Sequence, residues 1–146
     1  MFAPKNILVP TDFSVYSDNA LKEAVDIAIQ NKSKIHLLHV VDEIVQCAAD
    51  YCLDVSLVEQ AEKQSMKFAE EKLRKEVAAV AASGNVEIVF DIRKGDTVKV
   101  ILEEQEKKGI DLIVIASHGS KGMLHRIGSV SERVLRYSKT PVMLVK

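Results

Sequence analysis

Five short runs of apolar, largely β-branched residues recur along this chain, and the stretches between them repeat with a helical rather than an alternating period. The runs are Asn6 to Val9, Lys34 to Val41, Val86 to Ile92, Leu112 to Ile115 and Val142 to Val145. Ile7-Leu8-Val9 and Leu112-Ile113-Val114-Ile115 are apolar at every position, so both sides of those strands must be covered. Such strands belong in a parallel sheet buried on both faces. The alternating order predicts an α/β fold: a doubly wound five-stranded parallel sheet in a single domain, with helices on both faces.

The helices follow from their apolar stripes. Leu21, Ala24, Val25 and Ala28 fall at i, i+3, i+4 and i+7. Val58, Ala61, Ser65, Phe68, Ala69 and Val80 mark a longer helix from about Val55 to Ala82, closed by Gly84. Asp96 is an N-cap candidate after the Gly95 turn, Gly109 a C′ candidate, and a fourth helix starts near Ser129. Asp42 to Asp54 has no clean period and reads as a loop or short helical turn over one end of the sheet.

Composition excludes several classes. A net charge of −1 with 28% charged residues lacks the basic excess of a dedicated nucleic-acid binder. No apolar run reaches the roughly 18 residues of a membrane span, and Met-Phe-Ala-Pro-Lys-Asn carries no signal-peptide core, so a cytoplasmic protein is expected. Cys47 and Cys52, with four residues between them in "CAADYC", fit neither a CxxC redox pair nor a zinc set and read as free thiols.

Two loops that follow strands carry unusual chemistry. In an open doubly wound sheet, ligands sit outside the carboxyl ends of the strands, where strand order reverses. After the fourth strand comes "SHGSKGMLHRIGSVSER", in which Gly119, Gly122 and Gly128 allow positive φ and close backbone approach, while Lys121, His125 and Arg126 add positive potential. Gly128-Ser129-Val130-Ser131 then opens a helix whose first amides favour phosphate. The competing expectation is a capping box, Ser129-Val130-Ser131-Glu132, that satisfies the same amides without a ligand. Ser117 beside His118 invites a catalytic dyad, but no acidic residue in the loop orients the imidazole.

The first strand is followed by "PTDFS", and Asp12 either caps the next turn or faces the hydroxyl or amine groups of a ligand. An anion beside phosphates would repel them, so Asp12 is expected at the nucleoside end and the glycine loop at the phosphates. No Walker A stretch occurs, and the first loop lacks the glycines of a Rossmann dinucleotide site.

"ILVPTDFS", "LLHVVD", "KGDTVKVIL" and "ASHGSKGMLHRIGSVSERVLRYSKTPVMLVK", in this order, resemble the universal stress protein family over nearly the whole chain. The resemblance implies strand order 3-2-1-4-5, a homodimer that often pairs through its last strand, and, in some members, ATP held by a G-x2-G-x9-G-[S/T] motif. Carried over, Asp12 and Val40 hold the adenosine, and Pro10 and Thr11 belong to the same ATP site. Ala116, His118, Gly119 and Gly128 would face ribose and phosphates, with Ser129, Val130 and Ser131. Magnesium or manganese would enter on the phosphates. Two positions depart from the motif: Ala116 replaces the first glycine, and eight residues rather than nine separate Gly119 from Gly128.

Three functions follow. The first is a dimeric, ATP-holding stress-response protein that signals by occupancy and is at most a slow ATPase, since no base and water site is assembled. The second is a protein–protein interaction module of the same fold that binds no nucleotide. The third, an adenylyl-transfer enzyme, calls for a H-x-G-H-type signature that Pro10 to Ser14 lacks.

Overall fold

The computed structural model describes residues 1–42, 55–119 and 127–146. The elements run β1 (Asn6–Pro10), α1 (Val15–Asn31), β2 (Lys34–Val41), α2 (Val55–Ser83), β3 (Glu87–Lys94), α3 (Thr97–Lys107), β4 (Leu112–Ala116), α4 (Ser129–Tyr137) and β5 (Val142–Val145). The five strands form one parallel sheet in the order β3-β2-β1-β4-β5. Fold class and strand order are those expected. Asp42 belongs to the described residues, whereas the rest of the aperiodic segment with both cysteines, and the Lys121, Gly122, His125 and Arg126 positions, lie outside them.

The all-apolar strands divide their side chains between two cores. Ile7, Val9, Ile35, Leu37, Leu112 and Val114 pack with α1 and α2, while Leu8, Leu38, Ile113 and Ile115 pack with α3 and α4. Ile7, Leu8 and Val9 have no exposed surface at all, which accounts for a run with no polar alternate. No described helix is long and apolar enough to cross a membrane.

Local signals terminate the helices as expected in several places. The Ser14 hydroxyl caps α1 by accepting from the Ser17 N–H, and the Asp96 carboxylate caps α3 by accepting from the Lys99 N–H. Gly109, at φ 59°, is the C′ residue of a Schellman closure: its N–H donates to Glu106 O and that of Ile110 donates to Gln105 O.

The long helix differs from its expected stripe. Val58, Ala69, Leu73 and Val80 are buried, whereas Ala61, Ser65 and Phe68 are exposed. Leu73 fixes the phase, because Ala69, Leu73 and Val80 lie four and seven residues apart on one face. Phe68 falls outside that face and packs instead edge-on to Phe13, with Lys72 over both rings.

The topology opens a crevice where β1 and β4 part. β1 pairs with β2 along its whole length, but with β4 only at Ile7–Leu112 and Leu8–Ile113. The Thr11 N–H donates to Leu38 O, so alternation along the strand turns the Pro10 nitrogen toward β4. Proline has no hydrogen there, and the β1–β4 ladder stops beside it.

Candidate functional site

At that crevice lies a cavity of about 420 Å³, within the size range of small-molecule sites. All eleven residues expected to form a ligand site line it: Pro10, Thr11, Asp12 and Val40 from the first two strands, and Ala116, His118, Gly119, Gly128, Ser129, Val130 and Ser131 from the β4–α4 side. Ser17, Leu38, His39, Asp42, Thr97 and Ile115 line it as well and were missed. Asp42 and Thr97 stand within the quoted "LLHVVD" and "KGDTVKVIL" stretches, but nothing in the sequence alone brings those two strand ends together.

The first wall is the Thr11–Ser14 turn. Phe13 adopts φ 64°, a conformation that costs a non-glycine residue of order 1 kcal/mol. The turn is held from both sides: the Phe13 N–H donates to Thr11 Oγ1 (3.1 Å), the Ser14 N–H donates to Asp12 Oδ1 (3.0 Å), and the Phe13 ring lies 4.5 Å from that of His39. His39 Nδ1 is 2.8 Å from Thr11 O. A carbonyl only accepts, so Nδ1 carries the proton.

The turn-capping expectation for Asp12 is met, and its two oxygens lie in different surroundings. Oδ1 caps the turn, accepting from Ser14 N–H and lying 3.1 Å from the Ser17 hydroxyl. Oδ2 faces the β4 side, where a Cβ built on Gly119 would stand 2.9 Å from it. Asp12 therefore bridges the crevice, and Gly119 is small because the carboxylate occupies its side-chain space.

The opposite wall is the start of α4. The Gly128 N–H donates to Ser117 O (2.7 Å), the Ser117 N–H to Val145 O (2.8 Å), and the buried Ser131 hydroxyl to Ala116 O (2.5 Å). These bonds pin the helix N-terminus over the end of β4. The capping box does not form: the N-cap is Gly128, no side chain among the described residues caps the helix, and Glu132 pairs with Arg136. Ser129 is thus the first helical residue, one position too late to cap, and among the described residues no side chain takes up the N–H groups of the first turn.

The glycines act differently from expectation. Gly128 has φ −60°, and neither it nor Gly119 uses a left-handed conformation. Phe13 takes that conformation instead. Ala116, standing where the motif has glycine, turns its methyl into the core beneath α1.

His118 is in contact with its neighbour after all. Its Nδ1 is 2.8 Å from Ser117 Oγ, its Nε2 is buried without a partner among the described residues, and its ring lies 5.7 Å from Tyr16. Ser117 is only 4% exposed and does not line the cavity, so of the pair only His118 faces it.

β2 supplies the third side. Leu38 O accepts from Thr11 and Val41 O accepts from Gly95, so Val40 turns its N–H and C=O toward β1. β1 has already left the sheet at that level, its last partner being Leu38. The Val40 peptide thus presents one donor and one acceptor over the crevice. From β2 through β1 to β4, two strand spacings or roughly 10 Å, the cavity passes from a peptide edge to a carboxylate to a helix N-terminus.

Comparison with known proteins agrees with this architecture. The sequence model of the universal stress protein family matches residues 4–146. A universal stress protein of Methanocaldococcus jannaschii is 34% identical over 97% of this chain and 82% of its own length. The solved universal stress protein UspA from Lactobacillus plantarum superposes with a TM-score of 0.86 at 25% identity, covering 97% of each chain. Another solved universal stress protein, in complex with cAMP, gives a TM-score of 0.68 at 23% identity over 99% of this chain and 98% of that one.

Proposed function

The chain belongs to the universal stress protein family, and we propose that it is a nucleotide-binding member that holds ATP across the ends of β1, β2 and β4 and signals by occupancy. The observation that carries this reading is the α4 N-terminus: it is pinned into a 420 Å³ cavity with no described side chain on its amides. Amide hydrogen bonds to a charged oxygen, about 1.5–3 kcal/mol each, dominate there over the helix dipole at about 0.3–1 kcal/mol. The opposite end offers the Val40 peptide to a base, and Asp12 between them suits ribose hydroxyls. At 23% identity the relative in complex with cAMP supports the fold alone; nucleotide binding by this chain rests on the cavity.

A divalent ion would arrive on the phosphates, because no three His, Cys, Asp or Glu side chains converge among the described residues. We place self-association at β5. This strand forms one edge of the sheet, and Leu135, Tyr137 and Met143 beside it are exposed. These exposed apolar side chains favour, as a second reading, an interaction module that works through this edge without nucleotide.

Titration of wild type and Asp12→Ala with Mg-ATP tests the first reading. We expect the substitution to weaken binding at least about tenfold. Equal affinity in both proteins would remove Asp12 from the site, and the site with it.

A further inference from the structure

The cavity extends beyond the residues used so far to a carboxylate at its far end. Asp42, directly after β2, lines the cavity together with Thr97, the first residue of α3. The Thr97 hydroxyl donates to Asp42 Oδ1 at 3.3 Å, and Asp96 fixes the start of α3 by capping it. Because β2 lies between β1 and β3, Asp42 follows a strand on the side of β1 opposite β4, while Asp96, next to Thr97, lies 4.0 Å from Arg133 of α4. Asp12, at the end of β1, stands between the two ends.

A carboxylate placed there cannot serve phosphates, which it repels. It accepts hydrogen bonds and donates none. Beside it the Val40 peptide edge offers its donor and acceptor to a planar heterocycle. Building on the nucleotide-binding reading of the same cavity, we infer that Asp42, positioned by Thr97, is the base-selecting residue of the site and favours a purine with an exocyclic 6-amino group over one with a 6-oxo group. A 6-amino group donates to the carboxylate. A 6-oxo group presents a second acceptor to it, leaving both oxygens without a hydrogen and in repulsion, which is discrimination by an unfavourable contact.

The test compares ATP with inosine triphosphate, which differs at the 6 position of the base, by calorimetric titration of wild type, Asp42→Asn and Thr97→Val. Wild type is expected to prefer ATP at least about tenfold. The substitution Asp42→Asn puts in place of the carboxylate an amide that serves either purine. Its ATP-to-inosine ratio should therefore fall to whatever the Val40 peptide alone imposes, while ATP binding persists. Thr97→Val should lower the same ratio by less. A merely structural role would weaken both nucleotides equally and leave the ratio unchanged. That result would overturn the inference and spare the nucleotide site. A folded wild-type protein that takes up neither nucleotide would overturn both.

Discussion

Gly119→Ala is the most discriminating perturbation of the crevice, because its cost is assigned to one atom. The new Cβ would stand 2.9 Å from Asp12 Oδ2, about half an ångström inside the 3.4 Å at which ordinary contact begins. The backbone at 119 is not left-handed, so alanine meets no conformational penalty there. The carboxylate must therefore swing, and its bonds from Ser14 N–H (3.0 Å) and from the Ser17 hydroxyl (3.1 Å) stretch or break. Hydrogen bonds to a charged acceptor are worth about 1.5–3 kcal/mol each. Asp12 is exposed, so water compensates part of the loss, and the net cost should be about 1–2 kcal/mol. The chain has no tryptophan, so urea unfolding is best followed by far-ultraviolet circular dichroism. In an Asp12→Ala background the obstructed atoms are gone, and Gly119→Ala should cost no more than about 0.5 kcal/mol. An equal cost in both backgrounds would refute the steric argument and leave Gly119 without an assigned role.

Three further outcomes follow from the same structure. Gly128→Asp supplies a side-chain cap that no described residue gives α4, and its Cβ meets only ordinary contacts of 3.5 Å and more; stability should rise by about 0.5–1 kcal/mol while Mg-ATP affinity falls at least about tenfold, a split read by unfolding and calorimetry together. Glu76, between α1 and α2, has its pKa raised from 4.5 to about 7, first by burial and then by the charge of Asp18, with Lys72 opposing. Between those two pH values the unfolded chain ionises and the folded one resists, so this group's contribution to stability is present below about pH 4.5 and is lost as pH rises through about 7. At about 1.4 kcal/mol per pH unit the ceiling is about 3.5 kcal/mol, which partial solvent exposure lowers to about 1–2, and Glu76→Gln should recover that amount at about pH 8 and nothing at about pH 4. Glu104, 2% exposed, lies between Arg93 (3.0 Å) and Lys108 (2.8 Å); Glu104→Ala removes the buried carboxylate they share but leaves Arg93 its pair with Glu103 and Lys108 its pair with Asp91, and should cost about 1–3 kcal/mol in urea unfolding.

The sheet was legible because β1 and β4 carry no polar residue in their buried spans, which leaves a doubly covered parallel arrangement as the only way to satisfy them. The phase of α2 was not: Ala61, Ser65 and Phe68 suggest a stripe that the sheet does not use, and only packing reveals Leu73 as its centre. At the site, each loop was legible by itself, and the resemblance to a family put the strands that carry them side by side. What sequence could not supply was the division of labour within residues. Asp12 both caps a turn and faces the crevice through different oxygens, Phe13 takes the left-handed conformation expected of a glycine, and Ser129 stands one position past the cap it resembles. Asp42 and Thr97 escaped because their 55-residue separation is closed only by the register of β2 and β3.

The central claim is that the start of α4 and the β1 and β2 ends hold one nucleotide. The most direct measurement is calorimetric titration of the nucleotide-free protein with Mg-ATP, alongside chromatography of whatever the denatured protein releases. The account predicts one site per chain with micromolar affinity, or adenine nucleotide already carried through purification. A folded protein that releases no nucleotide and gives no binding heat at millimolar ATP would contradict it.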